Sequence, residues 1–238
     1  MDPPAERMPN WSPYNYAYDN PVRFIDVNGD SISIDKSLIN DKTALKAFYA
    51  FARTKQGISF LSKFASKDQI IAGHKYSKAG KMHQEGVNLT YISENIKNPE
   101  TSGTTEGKKT TNRVEIKVAI DNDPTRTVFS KLVTIFHESF IHAENTALDF
   151  KDDKKLNNSN LRLTQQQKDN VMGLTNHFQH VKVRDDYTKN GIGAQNSNLW
   201  PEQALRGIIE ANKSIGVNYS VEFVFKHMWS YEGGLDVR

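Results

Sequence analysis

The apolar positions along the chain fall into two periods. In "RVEIKVAID" (113–121) apolar and polar residues alternate, and this is the firmest strand prediction in the sequence. "SISIDK" (31–36) and "GVNLTYIS" (86–93) predict two further strands. From residue 123 the period changes. Phe129, Val133, Phe136, Phe140, Ala143, Ala147 and Phe150 recur every three or four positions, the buried stripe of one long helix. Asp123 is the expected cap of that helix, with Pro124 at its first position. Helical spacing also runs through 41–66, where Gly57 is expected to divide two helices, and through 164–187 and 200–211, the last with Pro201 near its start. "SVEFVFKHMWSY" fits either a strand or a helix, and "NPETSGTTEGKKTTN" (98–112) and "KDDKKLNNSN" (151–160) read as polar loops. The pattern predicts an α+β fold, mainly helical, with a small sheet beside a long helix.

Length and composition narrow this picture. The 238 residues suit one large domain, or one domain with an appendage. The charge balance of 31 basic against 28 acidic residues, a net +3, is too small an excess to argue for a nucleic-acid partner. There is no cysteine, so disulfides and thiolate metal clusters are excluded, and any transition metal must be held by histidine and carboxylate. The first residues, "MDPPAERMPNW", carry neither the basic nor the apolar region of a signal peptide. No apolar run approaches the roughly 18 residues of a membrane span.

Residues 1–30 differ from the rest. They are rich in tyrosine, proline and turn dipeptides, and read as short extended pieces between turns. Asp26, Asn28 and Asp30 suggest a calcium loop, but Ser31 and Ser37 stand where an EF-hand needs glycine and glutamate. In order along this stretch come Asp2-Pro3, Tyr14-x-Tyr16, Asn20-Pro21, Asp26 and Gly29. This series resembles the C-terminal end of the RHS-repeat-associated core, which precedes variable toxin domains in bacterial polymorphic toxins. The resemblance implies that residues 31–238 are the toxin effector and that 1–30 are a leader. It further implies a longer parent chain with an RHS shell, a dedicated secretion system, a target-cell protein as substrate and a cognate immunity protein.

The candidate chemistry lies in "TIFHESFIHAEN" (134–145), where His137 and His142 bracket Glu138. On a regular helix, at about 100° per residue, the two histidines stand about 140° apart, too far to share an ion. Glu138, His142, Asn145 and Asp149 then form one polar stripe, which on most helices is a solvated face. One extra residue in the turn, a π-bulge, changes this: the histidines stack and Glu138 joins them, and such bulges concentrate at functional sites. Four of the seven histidines fall within residues 137–180. His-Glu-x-x-x-His resembles the variant motif of some zinc peptidases, the dipeptidyl-peptidase III family. A helix following a strong strand is similar to zincin metallopeptidases, and this resemblance implies a zincin-like fold.

Zinc requires three protein ligands and an open position. The expected set is His137 and His142 with His177 or His180 from "NHFQH", Asn176 being an orienting group; Glu202 and Glu210 are the fallback. Glu138 is the expected general base for hydrolysis of an amide. "RVEIKVAID", if at a sheet edge, would pair with an extended peptide. His74 and His83 read as surface groups, and His227, beside Trp229, as a core or interface residue. A metal-dependent nuclease and a non-catalytic binding module are the rival readings.

Overall fold

The computed structural model describes residues 31–98, 101–110, 113–148 and 200–230. The leader 1–30, the helix expected over 164–187 and both His177 and His180 lie outside the described residues. The chain opens with β1 (Ile32–Ile34), α1 (Lys36–Asn40), α2 (Lys42–Arg53) and α3 (Lys55–Leu61). A short antiparallel pair follows, β2 (Ile70–Ile71) with β3 (His74–Lys75), then α4 (Lys81–Gln84). Next come β4 (Val87–Glu94), β5 (Gly103–Lys109) and β6 (Val114–Asp121). α5 (Val128–His137) runs directly into a π-helical stretch, Glu138–Ala143, and the helix continues over 144–148. α6 (Trp200–Ile215) and α7 (Val221–Ser230) complete the described chain.

The main sheet has the order β1-β4-β6-β5. β1, β4 and β6 are parallel, and β5 is antiparallel to β6. Mixed helices and sheet make this an α+β fold, as the two hydrophobic periods predicted. One expectation about the sheet is corrected: the stretch 98–112 contains β5 rather than being all loop. "RVEIKVAID" is an inner strand, so the condition for pairing with an extended peptide is not met there. A glycine- and lysine-rich segment reads as a loop because its strand state depends on pairing with β6, a tertiary term that local preference does not contain.

Strand alternation sorts the two faces. Val87, Leu89 and Tyr91 of β4 and Val114, Ile116, Val118 and Ile120 of β6 point into the core. The other face is polar and carries cross-strand pairs: Ser33 with Thr90, Asn88 with Glu115, and Lys117 with both Glu94 and Glu106. On the buried side Tyr91 meets Phe48 of α2 at 4.8 Å between ring centroids. Phe51 of α2 meets Phe136 of α5 edge-on at 4.9 Å, and Phe60 of α3 meets Phe140 at 5.2 Å. This aromatic layer fixes α5 and the π stretch across the sheet.

Two helix boundaries differ from expectation. The break between α2 and α3 falls at Thr54, not Gly57. The Thr54 hydroxyl accepts from the Gly57 N–H and caps α3. Gly57 is required for another reason: a Cβ there would lie 2.0 Å from the Phe51 carbonyl oxygen. At α5 the cap is Thr127, whose hydroxyl accepts from the Ser130 N–H, rather than Asp123. Asp123 instead accepts from the N–H and hydroxyl of Thr125, closing a turn before the helix begins. The predicted stripe of the long helix holds over its described part: Phe129, Val133, Phe136, Phe140, Ala143 and Ala147 are all buried, and Phe150 lies outside the described residues. Residues 220–231, left open between strand and helix, contain the helix α7.

Candidate metal centre

The helix widens where the motif lies. Glu138–Ala143 is a π-helix, and all six of its residues are buried. A regular turn would aim some of these side chains at solvent. The wider turn lets Phe140 stay in the aromatic layer while Ser139 turns to the sheet, where its hydroxyl shares a 2.8 Å hydrogen bond with the Tyr91 hydroxyl. Tyr91 is wholly buried, and burial pushes its phenol above the ordinary range, so it is neutral there. Past the π stretch, Asn145 donates to the Ile141 carbonyl, and the Glu144 carboxylate pairs with Lys63 at 2.6 Å. Asn145 thus secures the helix backbone instead of extending a polar stripe toward the motif, and Asp149 lies outside the described residues.

The consequence is that His137 and His142, five residues apart, face one another. Their Nε2 atoms are 3.2 Å apart. Two imidazoles bound to one tetrahedral zinc, with Zn–N of about 2.0–2.1 Å, place their nitrogens about 3.3 Å apart. The observed separation fits a shared ion and is equally that of a hydrogen bond between the two rings. Glu138 completes the group: one ligand atom from each of His137, Glu138 and His142 lies within 4.8 Å of the others. Glu138 and His142 are only 5% and 6% exposed, and His137 is half-buried, so this is not a solvated helix face. Imidazole and carboxylate are the donor types that a cysteine-free chain has for a transition metal, and both stand together here.

The strand β5 grips this stretch from the sheet side. The Thr105 hydroxyl donates to Glu138 Oε2 at 2.7 Å. The Thr134 hydroxyl donates to Ser102 just ahead of the strand. At Gly103 a Cβ would stand 2.5 Å from Thr134 Cγ2 and 2.9 Å from Glu138 Cγ, so strand and helix approach as closely as a glycine allows. None of Ser102, Gly103, Thr105, Tyr91 or Ser139 stands out as a site residue in the sequence. The adjacent pair Thr104-Thr105, β-branched residues inside a polar segment, favours extended backbone but is too short to mark a strand by itself.

The remaining candidates divide. Glu210, a fallback ligand, accepts from the Lys55 N–H at the start of α3, and the described cluster consists of His137, Glu138 and His142 alone. His74 is exposed and His83 half-buried. His227, read as a core or interface residue, is half-buried: its ring packs 5.1 Å from Phe129 and lies parallel to Phe223, and burial holds its imidazole below the usual range. No helix among the described residues is long and apolar enough to cross a membrane. Comparison of the chain with protein-family models, with curated proteins and with solved structures gives no match.

Proposed function

We propose that residues 31–238 are a zinc-dependent hydrolase that cleaves peptide bonds, acting as the toxin effector of an RHS-type chain. The observation that carries this reading is the π turn, which sets the His137 and His142 Nε2 atoms 3.2 Å apart with Glu138 beside them. His137 and His142 would hold the ion, and His177 or His180 would supply the third ligand. A zinc ion held there would supply Lewis acidity, bringing the pKa of a bound water down to about 7 and polarising a carbonyl. Glu138 accepts a proton from the attacking water and returns it to the leaving amine nitrogen.

A zincin-like arrangement is supported by β5, an antiparallel edge strand lying against the motif helix. Among the described residues no strand pairs with the outer edge of β5. An extended peptide added there would run beside Glu138, which suits a protein substrate. The toxin assignment, with its secretion as part of a longer chain, its RHS shell and its immunity protein, rests on the resemblance carried by residues 1–30.

The test is the zinc-to-protein ratio of purified protein, compared with His137→Ala, followed by digests of casein and of plasmid DNA. The reading expects one zinc per chain, none in the variant, and cleavage of casein but not of plasmid. A chain that takes up no zinc under loading conditions refutes it. Plasmid cleavage with intact casein makes the protein a nuclease instead.

A further inference from the structure

We propose that Thr105 is the positioning residue for Glu138, so that the edge strand sets the aim of the general base. This rests on the hydrolase reading above and adds a residue to it. Strand register supplies the geometry. Thr105 pairs with Val118, whose side chain is wholly buried, and therefore points to the helix side of the sheet. Its neighbours in the strand, Thr104 and Glu106, point to the polar face, where Glu106 pairs with Lys117. Thr105 is thus the residue of this segment whose hydroxyl meets the carboxylate.

The contact is of the strong kind. An ionised carboxylate only accepts, so the hydroxyl must donate, and 2.7 Å is the length of a charge-assisted O–H···O⁻ bond. A carboxylate on a three-torsion side chain has two soft terminal orientations. Fixing one oxygen removes that freedom and holds the other at a set angle. Gly103 provides an independent reason to assign this role to β5. The absence of a Cβ there brings the strand within contact of the Glu138 side-chain stem, so that both the stem and one oxygen of Glu138 are held by the same strand. The hydroxyl's hydrogen bonds both go to Glu138, to its carboxylate at 2.7 Å and, more weakly, to its carbonyl at 3.5 Å.

The experiment compares Thr105→Val, which keeps the shape and removes the hydroxyl, with Thr105→Ser, which keeps the hydroxyl. Each is made in the full chain. Zinc affinity is measured by competition with a chelator, kcat and KM on fluorescently labelled casein, and the Glu138 conformation by crystallography. Loss of a hydrogen-bond partner just outside a metal site typically costs about 10–100-fold. The expected result is that Thr105→Val loses kcat by about that factor with KM and zinc affinity unchanged, that its Glu138 carboxylate turns, and that Thr105→Ser restores both rate and conformation. Unchanged kcat in Thr105→Val overturns the proposal, as does an equal loss in Thr105→Ser, which marks a packing effect. A parallel fall in zinc affinity also overturns it, since Glu138 is then a ligand. If wild type and Glu138→Gln are equally inert on casein, the hydrolase reading fails separately. The positioning role is then decided by crystallography alone: a carboxylate turned only in Thr105→Val supports it, and one placed alike in all three chains overturns it.

Discussion

Glu138 is at once the candidate general base and a buried side chain packed between helix and sheet. It is almost wholly buried, its carboxylate accepts a hydrogen bond from the Thr105 hydroxyl, and its neighbours on either side of the turn are the two histidines. A buried carboxylate kept for packing alone is costly, because desolvation of the charge must be offset by partners. Glu138→Gln preserves the shape and the hydrogen bond from Thr105 but removes the basic oxygen. It is expected to keep one zinc per chain and to lower turnover by about 10²–10⁴-fold, the usual contribution of a general base. Loss of zinc from this variant would make Glu138 a ligand, and unaltered turnover would remove it from the mechanism. Zinc analysis beside a casein assay distinguishes these outcomes.

One turn of helix decides whether His137 and His142 can act together. Five residues on a regular helix leave them about 140° apart, whereas four leave about 40°. The π stretch absorbs the additional residue and sets the two rings edge-on, with their centroids 5.0 Å apart. Deleting Ile141 changes the spacing to four, for which a regular helix already aligns the pair. That variant is expected to keep zinc binding while the local helix becomes regular. Inserting an alanine between Phe140 and Ile141 lengthens the spacing to six and is expected to abolish zinc binding. Zinc stoichiometry of the two purified variants, with circular dichroism to verify that each is folded, checks both. Zinc retained after insertion would mean that the pairing in the π turn is not the binding geometry.

Across the molecule, three elements, α2, β4 and α5, are joined at Asp41. Its carboxylate caps α2 through the Thr43 and Ala44 N–H groups, accepts from the Ser93 hydroxyl of β4, and pairs at 2.7 Å with Lys131 of α5, whose side chain is 1% exposed. Removing one partner of a buried pair typically costs about 3–5 kcal/mol. Asp41→Asn is expected to lose about that much in a urea titration. Burial raises the Asp41 pKa, but the Lys131 ammonium, the Ala44 N–H and the Ser93 hydroxyl outweigh it and hold the group below its ordinary value of 3.8. A carboxyl depressed on folding stabilises the protein above its unfolded pKa, and that contribution fades as pH falls through the folded value. The wild type should therefore lose stability below about pH 4, with a shallower dependence in Asp41→Asn. At the start of the fold, β1 pairs with β4 and Asp35 caps α1. Limited proteolysis is expected to trim the chain upstream of Ile32 and to spare residues 32–40. Cleavage within that stretch in the native protein would place the boundary elsewhere.

Period alone determined much of this protein. Alternation marked β1, β4 and β6, and the three-to-four spacing of Phe129, Val133, Phe136, Phe140, Ala143 and Ala147 marked the long helix, because each element must bury one face. The residue types of the motif, with cysteine absent, restricted the candidate metal chemistry to histidine and carboxylate. Whether Glu138 and His142 were a wet stripe or a buried cluster was not decidable from spacing, since a regular and a π turn put the same letters on different faces. Tertiary structure settled that arrangement: Tyr91 holds Ser139 from the sheet, Phe60 and Phe136 hold Phe140, and β5 closes over Glu138. The strand β5 was itself illegible, as was its place at the edge. Gly103-Thr104-Thr105-Glu106-Gly107 has little intrinsic reason to be extended, and it becomes a strand because its backbone pairs with β6 while its glycine admits the helix. Contacts between segments distant in sequence are the terms that local pattern omits, and in this chain they orient the candidate general base.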